Sequence, residues 1–497
     1  MSYTLGVDIG TYESKGVLID GDGEIVAQAA RKHKMLVPQA GWAEHDPDQD
    51  WWGDFVHLTG ELLATSRVDP KSIKAIGCSA IGPCMLPVDA SGNALMNGVL
   101  YGVDTRAHRE IEDLNNEIGE ETILNSCGNA LSAQSVGPKI LWLKRNRPEI
   151  FAKTESIHTS TTYLVYKLTG RAVIDQYTAA NTSPLYDADN LSWTSGLTDD
   201  IVELHKLPEI LWSTEIAGEV TSGAAAETGL AAGTPVLTGT VDAAAEAVSV
   251  GVTSPGKMMM MYGSSIFIIM PTDTPVRDSR LWYAPWLFEG QHASMSGLHT
   301  AGTLTHWFRD QFARDLPVED AFPSLVSEAD MSPPGANGLV MLPYFSGQRT
   351  PVNDPHARGV WLGLNLTHTR ADMFRALLEG IALGTGHIIR TYADAGAPPE
   401  QLFAVGGGTK NRIWLQSTCD ATEMAQTVRE RTIGASYGDA FLAAVAIGAA
   451  SIEDIESWNP VAETIAPEPD NRAVFDKHLA LFERLYGQTA NLMPETG

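Results

Sequence analysis

The sequence predicts an α/β protein built from two related domains, and three observations carry that reading. Strand-like and helix-like segments alternate along the chain, the pattern of layered α/β folds. Two hairpin signals of one design lie about half a chain apart, each with a glycine followed by a hydroxyl residue at its tip. The 497 residues, 44% hydrophobic and 19% charged, suffice for more than one buried core.

Taken in order, Leu5, Val7 and Ile9 alternate as a strand. Gly10-Thr11-Tyr12-Glu13-Ser14 then turns the chain, Val17-Leu18-Ile19 returns it, and a second turn leads to a strand over 24–30. Trp42, Trp51 and Trp52 stand among Glu44, Asp46, Asp48 and Asp50. That cluster reads either as a sugar-stacking face or as an acid-rich cap on a helix whose tryptophans are core. A strand over 72–79, a charged amphipathic helix over 104–118, a helix over 138–145 and a strand over 236–240 follow. Gly251, Ser254, Pro255 and Gly256 punctuate the chain near 245–256 and place a boundary there, giving domains 1–250 and 251–497.

In the second half, strands over 258–262 and 266–270 flank the turn Gly263-Ser264-Ser265. A helix over 304–312 and a strand over 339–342 precede a long helix from Ala371, in which Met373, Phe374, Leu377, Leu378, Ile381, Ile388 and Ile389 keep helical spacing. Thr369-Arg370-Ala371-Asp372 fits a capping start. A strand over 402–405 ends in Gly406-Gly407-Gly408, and a helix runs on to Ala421.

Composition excludes several classes. A net charge of −27 repels phosphate backbones and anionic lipid, so neither nucleic acid nor a membrane surface is an expected partner. Four scattered cysteines with no CxxC pair support neither a disulfide framework nor a structural zinc site, and no HExxH spacing supports a hydrolytic one. No secretory leader is expected from the first residues, and the apolar run near 258–270 is too short and broken to span a bilayer. Gly251-Val252-Thr253-Ser254-Pro255-Gly256-Lys257 nearly matches a P-loop, but Met258 stands where the hydroxyl residue belongs and a strand, not a helix, follows.

Three segments carry candidate chemistry. The tip Gly10-Thr11 with Ser14 and Lys15 offers backbone N–H groups, hydroxyls and a charge to phosphate oxygens, and Asp8 at the strand end suits a hydrated Mg2+. Gly263-Ser264 repeats the design. Gly406-Gly407-Gly408 opens a strand-to-helix junction to a flat or anionic ligand. Asp242, after a strand and among alanines, reads either as a helix cap or as a general base facing a cleft. Asp104-Thr105-Arg106 reads as a buried ion pair or as a substrate clamp.

These residues resemble the FGGY family of carbohydrate kinases, within the actin-like ATPase superfamily. The markers are Gly6-Val7-Asp8-Ile9-Gly10-Thr11, Gly41-Trp42-Ala43-Glu44-His45-Asp46-Pro47, Asp104-Thr105-Arg106, Lys139-Ile140-Leu141-Trp142-Leu143, the stretches 343–351 and 358–380, Gly406-Gly407-Gly408, and Ala435-Ser436-Tyr437-Gly438-Asp439-Ala440. The resemblance runs over essentially the whole chain.

It implies two ribonuclease H-like domains, each a mixed five-stranded sheet flanked by helices, around a central cleft. It also implies a cytoplasmic, homodimeric kinase using ATP and Mg2+ on a small sugar or polyol, with a xylulokinase-like ketopentose as the leading substrate. In this resemblance Asp242 matches the general base and Asp8 the Mg2+ acid. Gly10, Thr11 and Lys15, with Gly263 and Ser264, match the phosphate hairpins; Gly302, Gly407, Gly408 and Asn411 match the adenosine side; Trp42, Glu44 and Asp104 border the sugar site. The chain departs from xylulokinases where they carry Met-His, here Gly82-Pro83, and where they carry Asn after the base, here Ala243. Another ketose, a polyol or a sugar acid is therefore open. Outside the kinase class, a non-catalytic sugar or nucleotide sensor and an ATPase acting on a protein partner stay open.

Overall fold

A computed structural model describes residues 2–496. Two large mixed sheets dominate it, one drawn from residues 3–241 and the other from residues 257–465. The first runs Ile216–Glu219, Pro235–Leu237, Ile73–Ala80, Tyr3–Ile9, Glu13–Asp20, Ile25–Lys32, with Thr240–Val241 also paired to Ile73–Ala80. The second runs Trp282–Pro285, His292–Leu298, Ile266–Thr272, Lys257–Tyr262, Gln401–Val405, Gln426–Arg429, Val461–Ile465. From the third hairpin strand inward, both repeat one sequence of pairings: antiparallel, antiparallel, parallel, parallel. Each sheet thus holds the five-stranded mixed core expected; Ile216–Glu219 and Thr240–Val241 bring the first to seven strands, and Trp282–Pro285 and Val461–Ile465 the second. The repeated tip design in the sequence reflects a repeated topology.

The hairpins form as patterned, with Gly10 and Gly263 N–H groups closing the turns onto the Glu13 and Ser265 carbonyls. The strand expected over 236–240 is interrupted at Gly239, where φ is +74° and a Cβ would lie 2.1 Å from the Cys78 carbonyl oxygen. Only glycine fits that backbone and that approach. The near P-loop is a turn, since the strand Lys257–Tyr262 follows it. The acid-rich turn is a cap: Asp46 accepts the Asp48 and Gln49 N–H groups, and Trp51 and Trp52 are buried. The long helix Arg370–Asp394 starts at a capping box of Thr369 and Asp372. The helix expected over 104–118 begins only at His108, because Asp104 and Arg106 are used in an ion pair.

The halves are tied together. Helix Ala435–Ala446, from the second half, packs on the first sheet: Thr4 Oγ1–H donates to the Ala440 carbonyl, and Cβ atoms at Gly6 and Gly77 would collide with the Ser436 and Asp439 carbonyls. Elsewhere Asn129 and Tyr283 exchange two hydrogen bonds across the halves, at 2.7 and 2.9 Å. Among the described residues no helix is long and apolar enough to cross a membrane, and all four cysteines are free and buried.

Candidate active site

The parallel strands Ile73–Ala80 and Thr240–Val241 end at a cavity shared by the two halves, and carboxyl ends of strands are where open α/β sheets place ligands. That cavity, of about 70 Å³, is walled by Asp242, Gly82 and Pro83 from the first half and Phe267, Trp282 and Met295 from the second. The three positions that depart from xylulokinases, Gly82, Pro83 and Ala243, all line it.

Asp242 is the first residue of helix Asp242–Ser249, so its cap-like placement and its cavity-facing placement coexist. One carboxylate oxygen accepts the Ala243 N–H at 2.7 Å. Burial raises its pKa, the Ala243 N–H opposes that, and Glu246 adds repulsion, leaving it at about 7. A carboxyl poised there is suited to accept a proton near neutral pH.

Asp8 is 8% exposed at the end of the first strand. The Ser79 hydroxyl lies between Asp8 and Asp439, at 3.2 and 2.7 Å from their oxygens. Burial and the charges of Asp242 and Glu246 hold Asp8 well above the usual carboxylate range, and burial and Asp8 do the same to Asp439. Lys15 is the cation that offsets Asp8 and Glu246. Sequence reasoning missed Asp439 and Glu246. The motif 435–440 held a signal for the first, and the i, i+4 spacing from Asp242 one for the second.

At each hairpin tip two successive N–H groups, those of Thr11 and Tyr12 and those of Ser264 and Ser265, have no partner among the described residues. The carbonyls behind them are tethered. Gly263 O accepts from Gly302 N–H at 3.0 Å, and Ser264 O accepts from the N–H groups of Ala301 and Thr303 and from Thr303 Oγ1–H. Gly10 O and Thr11 O accept from His33 Nε2 and His45 Nε2, at 3.0 and 3.1 Å.

Neighbours in space now surround the expected site residues. Ser14 is fully buried and donates to Asp54 at 2.7 Å, so strand alternation turns it away from the cleft while Lys15 stays on the cleft side. Gly302 backs the second hairpin: a Cβ there would sit 2.5 Å from the Gly263 carbonyl oxygen. Gly407 is open, Gly408 is wedged against Tyr262 and Trp414, and Asn411 caps helix Arg412–Thr422 by accepting the Trp414 N–H.

Trp42, Glu44 and Asp104 do not wall the cavity. Arg106 binds Asp104 and Glu44, each at 2.8 Å, and lies 3.9 Å over the Trp42 ring. Desolvated carboxylates demand such a partner. The segment they hold carries Tyr101, whose hydroxyl meets Thr11 Oγ1 at 3.3 Å, and Lys139 donates to the Leu100 and Tyr101 carbonyls. Arg349, also missed, stands 5.4 Å over the Trp282 ring with no ion pair among the described residues.

Residues 3–249 match the N-terminal domain model of the FGGY family of carbohydrate kinases, and residues 258–447 match its C-terminal domain model. The chain is 28% identical to a xylulose kinase of Bacillus subtilis, covering 99% of this chain and 98% of that one. It is also 28% identical to a glycerol kinase of Chromobacterium violaceum, covering 91% of each. The crystal structure of xylulose kinase from Rhodospirillum rubrum superimposes with a TM-score of 0.92 at 30% identity over 99% of both chains. Matched by both domain models, the chain belongs to the FGGY family of carbohydrate kinases.

Proposed function

We propose that the protein transfers the γ-phosphoryl group of ATP to a hydroxyl of a small sugar, a ketopentose such as xylulose in the first instance, with Asp242 as general base. The carrying observation is the buried Asp242 carboxyl on the cavity wall, its pKa raised by burial to about 7, in charge interaction with Asp8 on the strand that leads to the first tip. The acceptor sugar occupies the cavity, and Asp242 takes the proton of the attacking hydroxyl. The N–H groups of Thr11, Tyr12, Ser264 and Ser265 stabilise charge on the phosphoryl oxygens. Gly407, Gly408 and Asn411 border the adenosine side. Domains 1–250 and 251–497 close on the cleft, positioning the reactants and excluding water.

The acidic cluster fits Mg2+. Asp8 is held above its ordinary range by burial and the charges of Asp242 and Glu246, and Asp439 by burial and the charge of Asp8, so a divalent cation relieves this repulsion, and Mg2+ needs only one or two carboxylates beside phosphate and water. Asp8 would hold it, and when bound it supplies charge neutralisation to the phosphates. The reading carries with it a cytoplasmic enzyme and a homodimer, the latter checked by sedimentation.

Asp242→Asn is expected to lower kcat by about 10² or more while nucleotide binding persists. In the wild type, kcat/KM falls as pH drops through about 7, because only the ionised carboxylate accepts a proton. Sugar phosphate formed by Asp242→Asn at near wild-type rate removes the base assignment. Gly82, Pro83 and Ala243 on the cavity wall favour a second reading, a different ketose, polyol or sugar acid. Specificity constants for ADP release across ketopentoses, tetritols, hexuloses and sugar acids decide between the two.

A further inference from the structure

Behind the first hairpin lies a hydrogen-bonded cluster that the phosphoryl-transfer chemistry does not use. His33 Nε2 faces the Gly10 carbonyl at 3.0 Å, and its Nδ1 faces Asp54 Oδ2 at 2.9 Å. Both partners are acceptors, so both ring nitrogens of His33 carry protons and the ring is an imidazolium. His45 differs. Its Nε2 faces the Thr11 carbonyl at 3.1 Å, while its Nδ1 accepts Trp51 Nε1–H at 3.2 Å, which fixes a neutral ring with the proton on Nε2. The two rings stand edge to face, 4.8 Å apart.

In a trans peptide the carbonyl of one residue and the N–H of the next point in opposite directions. Holding the Gly10 carbonyl from behind therefore turns the Thr11 N–H forward, and holding the Thr11 carbonyl turns the Tyr12 N–H forward. Those are the N–H groups left without a partner among the described residues.

We propose that His33 and His45 are positioning residues that set the first phosphate cradle, with His33 acting as the imidazolium that holds the Gly10 carbonyl and adds positive charge behind the terminal phosphates of a nucleoside triphosphate. This inference rests on the kinase reading and names how one half of its nucleotide site is built.

The charged groups facing His33 are Asp54 and Asp50 from the helical turn, Arg31, which also pairs with Asp54 at 3.2 Å, and His45. Burial opposes the imidazolium, but the Asp54 hydrogen bond and charge, with Asp50 and the Gly10 carbonyl, outweigh it and hold the ring above the ordinary histidine range. Burial and the His33 charge press His45 down to about 4, which keeps it neutral. The sign follows. The His33 tether is fully present below about pH 6.5, the unperturbed histidine value, and is lost as pH rises through the higher folded value of His33, while neutral His45 keeps the Thr11 carbonyl. The remaining proton then stays on Nδ1, which donates to Asp54, and a bare Nε2 faces the Gly10 carbonyl.

The test uses the full chain with Mg2+ and a non-hydrolysable ATP analogue, measuring Kd by calorimetry and KM for ATP and sugar from pH 6 to 9. His33→Ala is expected to raise Kd and ATP KM about tenfold at pH 7 with sugar KM unchanged, the scale of one charge-assisted hydrogen bond. His33→Gln, which keeps an N–H donor but cannot titrate, is expected to restore most of the affinity and to abolish the rise of ATP KM with pH. Should His33→Ala not fold, the His33→Gln profile decides alone. Wild-type affinity in folded His33→Ala, or the same pH profile in wild type and His33→Gln, overturns this inference. Absence of nucleotide binding by the wild type overturns the kinase reading and this inference together.

Discussion

The two hairpins are one design held in two ways. Each joins a pair of antiparallel strands, carries glycine at the tip and leaves two consecutive N–H groups without a partner among the described residues. The second is backed by Ala301, Gly302 and Thr303 at the start of helix Gly302–Phe312, mostly backbone donors that never titrate. The first is backed by two imidazoles and, through His33, by Asp54. A cradle for anions thus needs its carbonyls tethered, and the choice of tether decides whether it responds to pH.

The comparison can be broken in three further places. Gly302→Val has the largest expected effect: its Cβ would press to 2.5 Å from the Gly263 carbonyl oxygen, displacing tip and helix together. The kcat/KM for ATP should fall about 10², the scale of a misplacement near 1 Å. Steady-state activity within threefold of wild type would show that the second tip does not depend on this backing. Asp54→Asn comes next. It removes the carboxylate that sustains the His33 imidazolium, so the pH at which ATP KM begins to rise should move down, with ATP KM about tenfold higher at pH 7.5. An unmoved profile would separate Asp54 from the first cradle. Thr303→Val is the mildest. It deletes one hydroxyl donor to the Ser264 carbonyl while the backbone donors remain, so ATP KM should rise about threefold at every pH measured. A pH-dependent effect there would erase the contrast between the two tips.

Much of this was legible in the chain. The hairpins, the capped long helix and the strand leading to the glycine turn follow from periodicity and turn chemistry, which act over a few residues. Ser14 was not legible as a structural residue: a hydroxyl near a glycine tip looks like a phosphate ligand until the strand's alternation is fixed by what packs beneath it. Nor was it legible that Arg106 binds Glu44 and Asp104 and lies over Trp42, since those three come together only in space.

The sequence alone determined the two mixed α/β sheets, the paired glycine tips and the identity of Asp8 and Asp242 as acids at strand ends, because each depends on local pattern or on motif. Tertiary structure decided the rest. It brought Asp8, Ser79, Asp242, Glu246 and Asp439 from distant segments into one cleft, and wedged helix Ala435–Ala446 against the first sheet where Gly6 and Gly77 leave room. It also set two histidines behind one tip and backbone amides behind the other. The physical reason is range. Hydrogen-bonding periodicity and turn preference are properties of neighbours in the chain, whereas desolvation, charge repulsion and close packing depend on neighbours in space.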